Sequence, residues 1–429
     1  MYGIVDCDNC YVSCERVFRP DLKDKPVVVL SNNDGCVVAR SNEAKKMGIK
    51  AGTPFYQLSQ QFPDSKIAVF SSNYELYGEL TSRIVSLISK AAPSYFRYSI
   101  DECFVYLNEI PTDRLKPWGE ELYHTILNSV GMPVSIGIAL NKTLAKMASH
   151  FAKKHPGYRH CCIIDTDEKR RKALSLYPIE EVWGIGHRYA ARMKASGITT
   201  AYDFAAHAEG WVQTTFRNIN ILRTWLELNG KDCIPDEVLA KKKSICTSRS
   251  FNGMVTDIDT LVTHVSNFAS LCAEKLRKQG STASVVGVFF NTNPFREDLP
   301  QYRNYQETVL LTPTNSTAII VQKANAILRN MFIKGYHYKK AGVIVMGIGP
   351  DSPIQQDLFD TDAERFEKMK RLDAVIDRIN KVNGKETIVL GSQQYSRIGE
   401  KADIFANAIK HEFRSKNPTT RWGDIIRLK

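Results

Sequence analysis

Apolar and polar positions along the chain alternate between strand-like and helix-like periods through most of its length. The opening run Tyr2–Val5 is apolar and stops at two acids, Asp6 and Asp8, which reads as a strand ending where the acids begin. KPVVVLSN (25–32) and GCVVARS (35–41) are β-branched runs separated by Asn33-Asp34-Gly35, a hairpin signal. Over 73–92 the period changes: Leu76, Leu80, Ile84, Leu87, Ile88 and Ala91 fall on one helical face. YFRYSIDECFVYL (95–107) is aromatic and β-branched with Asp101-Glu102 in its middle, and PVSIGIAL (133–140) is a further buried strand. It runs into Asn141, a good N-cap, and a helix over 142–154. Leu144, Met147, Ala148 and Phe151 of that helix face inward, with Lys142, Lys146 and Lys153 on the polar side.

Strands and helices are interleaved to about residue 165, and 170–230 is wholly helical. AKKKSICTSRS (240–250) reads as a basic linker, and 244–345 mixes strands (ASVVGVFF, AGVIVMG) with helices. GPDSPIQQDLFD (349–360) is a Pro/Asp/Gly break. Beyond it Thr361 and Glu364 form a capping box. Phe366, Met369, Leu372, Ile376 and Ile379 then make an amphipathic stripe closed by Asn383-Gly384. No internal repeat and no low-complexity tract is present.

A chain of 429 residues is too long for one core, which predicts three or four domains. Hydrophobic content of 43% with 24% charged residues excludes a disordered chain. No run of about 18 apolar residues exists to span a membrane, and the opening lacks the features of a signal peptide; the expectation is a cytoplasmic protein with no membrane partner. Ten cysteines in that compartment read as buried thiols rather than disulfides. Cys7, Cys10 and Cys14 have the spacing C-x2-C-x3-C but lack a fourth ligand, the nearest histidine being His124, so packing is favoured over a zinc or iron–sulfur centre. The net charge of +12 is concentrated: residues 241–345 hold fourteen Lys/Arg against six Asp/Glu. Such a patch points to a polyanion, nucleic acid before membrane.

Asp6 at a strand end and Asp101-Glu102 in a hairpin offer an economical two-metal site, since hard cations such as Mg²⁺ take oxygen ligands. In a regular strand Asp101 and Glu102 would point to opposite faces, so both reach one site only if the backbone turns or bulges there. Solvated hairpin acids are the plainer alternative. Asp8 shares the strand parity of Asp6. Gly184-Ile185-Gly186 before a helix lets backbone amides approach a phosphate, or is a tight turn. QQDLF (355–359) lies in the break, where partner motifs are common.

Taken in order and spacing, VDCDNCYVSCE (5–15), YSIDECFV (98–105) and GIALNKTLAKMAS (137–149) resemble the palm of a Y-family DNA polymerase. LSNNDGCVVARSNEAKKMG (30–48) and TTRWGDIIRLK (419–429) are similar to one bacterial branch of that family. The resemblance covers essentially the whole chain. It implies an α+β multidomain right-hand polymerase with five parts. These are a ferredoxin-like palm (1–20 and 75–165), small fingers (21–74), a helical thumb with a helix–hairpin–helix (166–235), an α/β little finger (244–347) and a C-terminal extension for clamp and partners (348–429).

The site residues follow from the same resemblance. Asp6, Asp101 and Glu102 match the catalytic, metal-binding carboxylates for two Mg²⁺ ions, and the Cys7 carbonyl matches a further ligand; Asp8 has no metal role. Tyr11 matches the steric gate that favours dNTPs over ribonucleotides; from the residues alone it is a core aromatic. The amides of Asn9 and Cys10 and the amine of Lys146 match triphosphate contacts. Many family members carry Tyr and Arg where this chain has Asn42 and Lys45. Lys45 still meets a phosphate as a point charge without the fork of Arg, and Arg40 is placed to compensate. Gly184, Gly186 and Arg249 fall in the parts that hold primer–template DNA. Gln355, Leu358 and Phe359 resemble a bacterial sliding-clamp peptide. Relatives in this branch work with a dimer of processed UmuD and with RecA. The function implied is error-prone translesion synthesis in SOS damage tolerance. A metal-dependent nucleotide cyclase and a non-catalytic DNA-binding recruiter are the competing readings.

Overall fold

The computed structural model describes residues 1–63, 66–236, 242–351, 363–383, 387–393 and 411–426, with backbone only at 252 and 363–367. It divides into two units, Met1–Glu237 together with His411–Lys429, and Val238–Lys410.

The first unit begins β1 (Tyr2–Cys7), α1 (Cys10–Phe18), β2 (Val27–Leu30), β3 (Val37–Arg40), α2 (Asn42–Lys46), α3 (Phe55–Gln61) and β4 (Ala68–Ser71). It continues α4 (Tyr74–Ala91), β5 (Ser94–Arg97), β6 (Glu102–Tyr106), α5 (Leu115–Val130), β7 (Val134–Ala139), α6 (Lys142–Lys154) and β8 (Cys161–Ile164). One sheet has the order β5-β6-β1-β7-β8 and a smaller one β3-β2-β4. β1 is the centre of the larger sheet and antiparallel to both neighbours; Asp6 lies opposite Glu102 on one side and Ser135 on the other.

Alternation along the strands sorts side chains between the two faces. Ile4 and Phe104 join Leu144, Met147 and Ala148 of α6 in one core. Val5, Cys7, Cys103 and Val105 join Leu76, Leu80, Ile84 and Ile126 of α4 and α5 in another. Asp6 and Glu102 share the parity of Ile4 and Phe104, so they face α6. That helix is capped as expected, Asn141 accepting from the Leu144 amide at 3.0 Å. It sits close on β7 because residue 137 is glycine: a Cβ there would lie 2.1 Å from the Ala145 carbonyl oxygen and 2.2 Å from the Ser149 nitrogen.

Three expectations for this region are corrected. Ala91 is exposed and Leu87 only half-buried; the buried face of α4 takes Tyr77 and Thr81 instead. Lys142 is buried, ion-paired to Asp236 at 2.9 Å and donating to the Ile234 carbonyl. The β2–β3 pair is antiparallel as predicted, but its connection spans Ser31–Cys36, and Asn33 and Asp34, not the glycine, take positive φ. The helical stretch follows as α7 (Asp167–Leu176), α8 (His187–Ala195), α9 (Ala201–Ala205), α10 (Glu209–Phe216) and α11 (Ile219–Leu228). Its apolar residues, Ile185, Phe204 and Trp225 among them, extend the α6 core.

The second unit holds β9 (Ile245–Val255), α12 (Ile258–Gln279), β10 (Ser281–Thr292), β11 (Arg303–Thr314), α13 (Thr317–Met331), β12 (Tyr338–Pro350) and α14 (Ala363–Asn383). Its antiparallel sheet has the order β11-β10-β12-β9 and buries one face under α12 and α13. The segment read as a basic linker is in its second half edge strand β9, and β11 was not foreseen. Burial on α14 departs from the apolar stripe. Leu372 is exposed, while Asp373 is buried and accepts from the Thr317 amide; Asp377 takes both arms of Arg277 at 2.7 and 2.8 Å. Thr361, the Glu364 and Phe366 side chains, and Gly384 lie outside the described residues. The region 348–429 is divided, with 363–393 in this unit and 411–426 in the first.

Gly137→Ala is expected to cost about 3 kcal/mol or more in a denaturant titration, because backbone atoms of α6 occupy the space of the added methyl. An unchanged midpoint would show that α6 is free to move off β7.

Candidate active site

The site grows from the end of β1. The Cys7 amide donates to the Asp101 carbonyl at 2.9 Å, drawing the turn before β6 against the strand end. Residues 98–101 make that turn, with the Tyr98 and Ser99 amides both donating to the Glu102 carbonyl. A residue the sequence analysis passed over organises it. The Ser99 hydroxyl donates to Asp101 Oδ1 at 2.6 Å and accepts from the amides of Asp101 and Glu102. A serine bonding backbone one to three residues on is a local signal that was available in YSIDE.

The turn changes where the acids go. Asp6 and Glu102 line one cleft of about 240 Å³, with Lys146, His150, Lys153, Tyr177, Glu181 and Trp183 around it. Asp101 stands behind, with Cys7, Thr81 and Ile84 in a narrower depression that Glu102 also borders. Asp6 and Glu102 are therefore brought together directly, and Asp101 only as a neighbouring charge.

Two lysines of α6 meet the acids. Lys146 Nζ is 2.7 Å from Glu102 and lies over the rings of Tyr98 and Trp183 at 4.9 and 5.2 Å. Lys153 Nζ is 3.3 Å from both Asp6 and Asp8. Burial opposes the charge on Lys153, but the two aspartates outweigh it and hold its pKa above the usual lysine value. Asp6 is pushed up to about 6, by burial first, with Lys153 opposing and Glu102, Asp8 and Asp101 adding repulsion. Asp8 leaves the strand and accepts from the Ser135 hydroxyl at 2.8 Å. Neither Lys146 nor Lys153 is the solvated lysine that the polar face of α6 suggested.

Side chains of α2 reach the start of α1. Asn9 is left-handed at the helix cap (φ 48°), and its side chain makes no capping bond. Instead Asn9 Nδ2 donates to Asn42 Oδ1 at 3.1 Å, and Lys45 Nζ donates to Asn9 Oδ1 at 2.6 Å. Burial first, then Lys153 and Arg40, lower the Lys45 pKa. Arg40 itself donates to the Ile49 carbonyl at 2.8 Å. Tyr11 is half-buried, stacked on Tyr77 at 4.7 Å and 15° and edge-on to Tyr74. Burial pushes its hydroxyl up to about 12, with Tyr74 and Asp101 adding to the shift.

The donor set fits a hard divalent cation, with three carboxylates around one strand end. As placed, each is engaged with a lysine or a hydroxyl of the protein. Among the described residues no group of three or more His, Cys, Asp or Glu is arranged to hold a metal ion. Cys7, Cys10 and Cys14 are buried in the apolar core. Hydrogen bonds among their thiols, with burial, push Cys7 and Cys14 up, while those bonds push Cys10 down.

Gly184 has φ +89°, and a Cβ there would lie 2.5 Å from Thr224 Oγ1. Gly186 caps α8 with open space where a side chain would be. Arg249 shares the β9 parity of buried Thr247 and Phe251, hence the helix-covered face of its sheet. The opposite face carries Ser248, Ser250, Lys340 and Arg303 in register. Gln355, Leu358 and Phe359 lie outside the described residues. No described helix is long and apolar enough to cross a membrane.

Comparison with known proteins then decides the family. Residues 5–150 match the impB/mucB/samB family and 242–358 its C-terminal domain, while 370–428 match a domain of unknown function (DUF4113). The chain is 37% identical to protein UmuC of Salmonella typhimurium, over all of both chains. It is 36% identical to protein ImpB of the same species, over 99% of each. The chain belongs to the Y family of DNA polymerases, in its impB/mucB/samB branch. The fold agrees. A Y-family Dbh–Dpo4–Dbh chimera superposes with a TM-score of 0.65 at 21% identity, over 82% of this chain and 100% of that one. Dbh polymerase in an insertion ternary complex gives 0.53 at 22%, over 82% and 100%. The architecture is thus the right-hand polymerase with palm, fingers, thumb and little finger, and polymerases of this family use divalent metal ions. Family membership removes the cyclase reading.

Ser99→Ala is expected to lower the rate of nucleotide insertion about tenfold, the value of one site-orienting hydrogen bond, with primer–template affinity unchanged. Equal losses in both would make Ser99 a folding residue only.

Proposed function

We propose that this chain is an error-prone, template-directed translesion DNA polymerase of the SOS response. The observation that carries the reading is the pairing of Asp6 with Glu102 across adjacent strands, under two lysines, in a chain of this family. The palm is 1–20 and 75–165, the fingers 21–74, the thumb 166–235, the little finger 244–347, and 348–429 the clamp- and partner-binding region.

Primer 3′-hydroxyl and dNTP meet at the Asp6–Glu102 cleft, and attack on the α-phosphorus releases pyrophosphate. Asp6, Asp101, Glu102 and the Cys7 carbonyl would hold two Mg²⁺ ions, which supply a lowered pKa for the attacking hydroxyl and charge neutralisation for the leaving group. The first-turn amides of α1, from Asn9 and Cys10 onward, donate to the triphosphate oxygens, since they point along the positive end of the helix. Lys45, held beside them by Asn9, which in turn donates to Asn42, contributes a point charge, as does Lys146 from the other side; Arg40 adds field at longer range. Tyr11 lies under the sugar and clashes with a 2′-hydroxyl. Gly184 and Gly186 hold the duplex phosphates, and the open sheet face with Lys340 and Arg303 adds to Arg249. Gln355, Leu358 and Phe359 engage the sliding clamp, and processed UmuD and RecA complete the assembly.

The test is primer extension on undamaged and abasic templates with Mg²⁺, dNTPs, sliding clamp, processed UmuD and activated RecA. Asp101→Asn and Glu102→Gln are each expected to abolish extension by the wild type while leaving DNA binding nearly intact. Normal extension by either would sink the metal-site assignment. Tight DNA binding without turnover by the wild type would favour the non-catalytic recruiter.

A further inference from the structure

The last described segment of the chain, 411–426, packs in the first unit against the end of β4 and the start of α4. Phe413 joins the apolar cluster of Val28, Leu30 and Leu58, its ring 5.4 Å from Phe55. Its amide donates to the Ser71 hydroxyl at 2.9 Å, and its carbonyl accepts from the Ser71 amide at 3.1 Å. Two residues on, Asn73 at the cap of α4 donates to the Ser415 hydroxyl and to the buried Asn417 at 3.0 and 2.7 Å. Arg414 and Arg421 reach Glu75 at 3.2 and 2.9 Å. The segment is fastened by specific contacts to both β4 and α4.

One of these contacts leads inward. Glu15, on α1, is 1% exposed. A buried carboxylate needs hydrogen-bond donors, and Glu15 has two. The Tyr77 hydroxyl donates to Oε1 at 2.7 Å and the Ser415 hydroxyl to the same oxygen at 3.0 Å. Tyr77 is fully buried, and its ring is the one stacked on Tyr11. A continuous path therefore runs from the tail to the tyrosine under the sugar: Ser415, Glu15, Tyr77, Tyr11.

We propose that segment 411–426 is a positioning element of the nucleotide pocket, setting the height of Tyr11 through Ser415, Glu15 and Tyr77. This gives a role to the end of the domain of unknown function, and it rests on the reading of Tyr11 as the sugar gate. Discrimination by a steric clash depends on where the ring of Tyr11 sits. Tyr77 is free to tilt only if Glu15 is free to follow it. The tail hydroxyl holds the same Glu15 oxygen that accepts from Tyr77. Ser415 touches no substrate; it acts through the stack.

The experiment measures single-nucleotide insertion of a dNTP and of the matching ribonucleotide by the full chain with its partner proteins. The readout is the ratio of the two kcat/KM values. Ser415→Ala and, independently, Tyr77→Phe are expected to lower that ratio roughly three- to tenfold, the worth of one hydrogen bond. Ser415→Thr, which keeps the hydroxyl, should restore it. A merely structural role would shrink the active fraction and leave the ratio alone. Tyr11→Ala is the control for the gate. If it collapses the ratio while Ser415→Ala and Tyr77→Phe leave it unchanged, the positioning role is wrong. If Tyr11→Ala itself leaves the ratio unchanged, the gate reading falls, and the proposal with it.

Discussion

The antiparallel register of β1 against β6 puts Asp6 opposite Glu102, and the amide of Cys7 closes the pairing by taking the Asp101 carbonyl. A slip of one residue would turn one of the two side chains to the other face of the sheet. The register is held by what each face buries. Ile4 and Phe104 belong to the α6 core, Val5 and Cys103 to the α4–α5 core, so a slip would expose both sets at once. Gly137 adds the second constraint by letting α6 lie against β7. Strand register brings the acids together, and the glycine brings the helix that carries their lysines.

Charge then explains why the acids stay at the strand end. Burial first, and then repulsion from Glu102, Asp8 and Asp101, raise the pKa of Asp6, and without counter-charge the cluster would favour protonation. Lys146 and Lys153 are seven residues apart, two turns along one face of α6. One meets Glu102 and the other Asp6 and Asp8. The arrangement suits a site that handles phosphates: a hard-cation donor set on one side and fixed ammonium groups within reach on the other. Lys45 extends the positive field to the cap of α1, where the side chain of the left-handed Asn9 makes no capping bond to its own helix.

Much of this was legible in the residues, because period and turn chemistry are local. The strand ending beside Asp6, the Asn141 cap, the antiparallel β2–β3 pair before α2 and the Gly184–Gly186 turn before α8 all follow from short-range rules. What period could not give was the destination of long polar side chains. The apolar stripe of α6 assigned Lys142, Lys146 and Lys153 to solvent. Their amines reach instead across to Asp236, Glu102 and Asp6, partners set by tertiary contact. Arg249 shows a related limit: its basic neighbourhood was visible, but the sheet face it takes follows from the register of β9 with β12. On α14 the apolar repeat was partly right: Met369, Ile376 and Ile379 are half-buried, but Leu372 is exposed while Asp373 and Asp377 meet Arg277, a residue about a hundred positions away.

Glu15 is the same lesson in its strongest form. Nothing in VDCDNCYVSCE singles it out, yet its burial pushes its pKa up to about 7 against the hydrogen bonds of Tyr77 and Ser415. A charge or proton kept there is costly unless donors are guaranteed, and one of the two donors lies 400 residues later. Local rules cannot anticipate a partner so distant. The cost makes sense only if the contact does more than fill space, since an apolar residue at position 15 would pack against Tyr77 without needing the tail. What a carboxylate adds is direction. It fixes the Tyr77 hydroxyl, and so the plane of the ring on which Tyr11 rests.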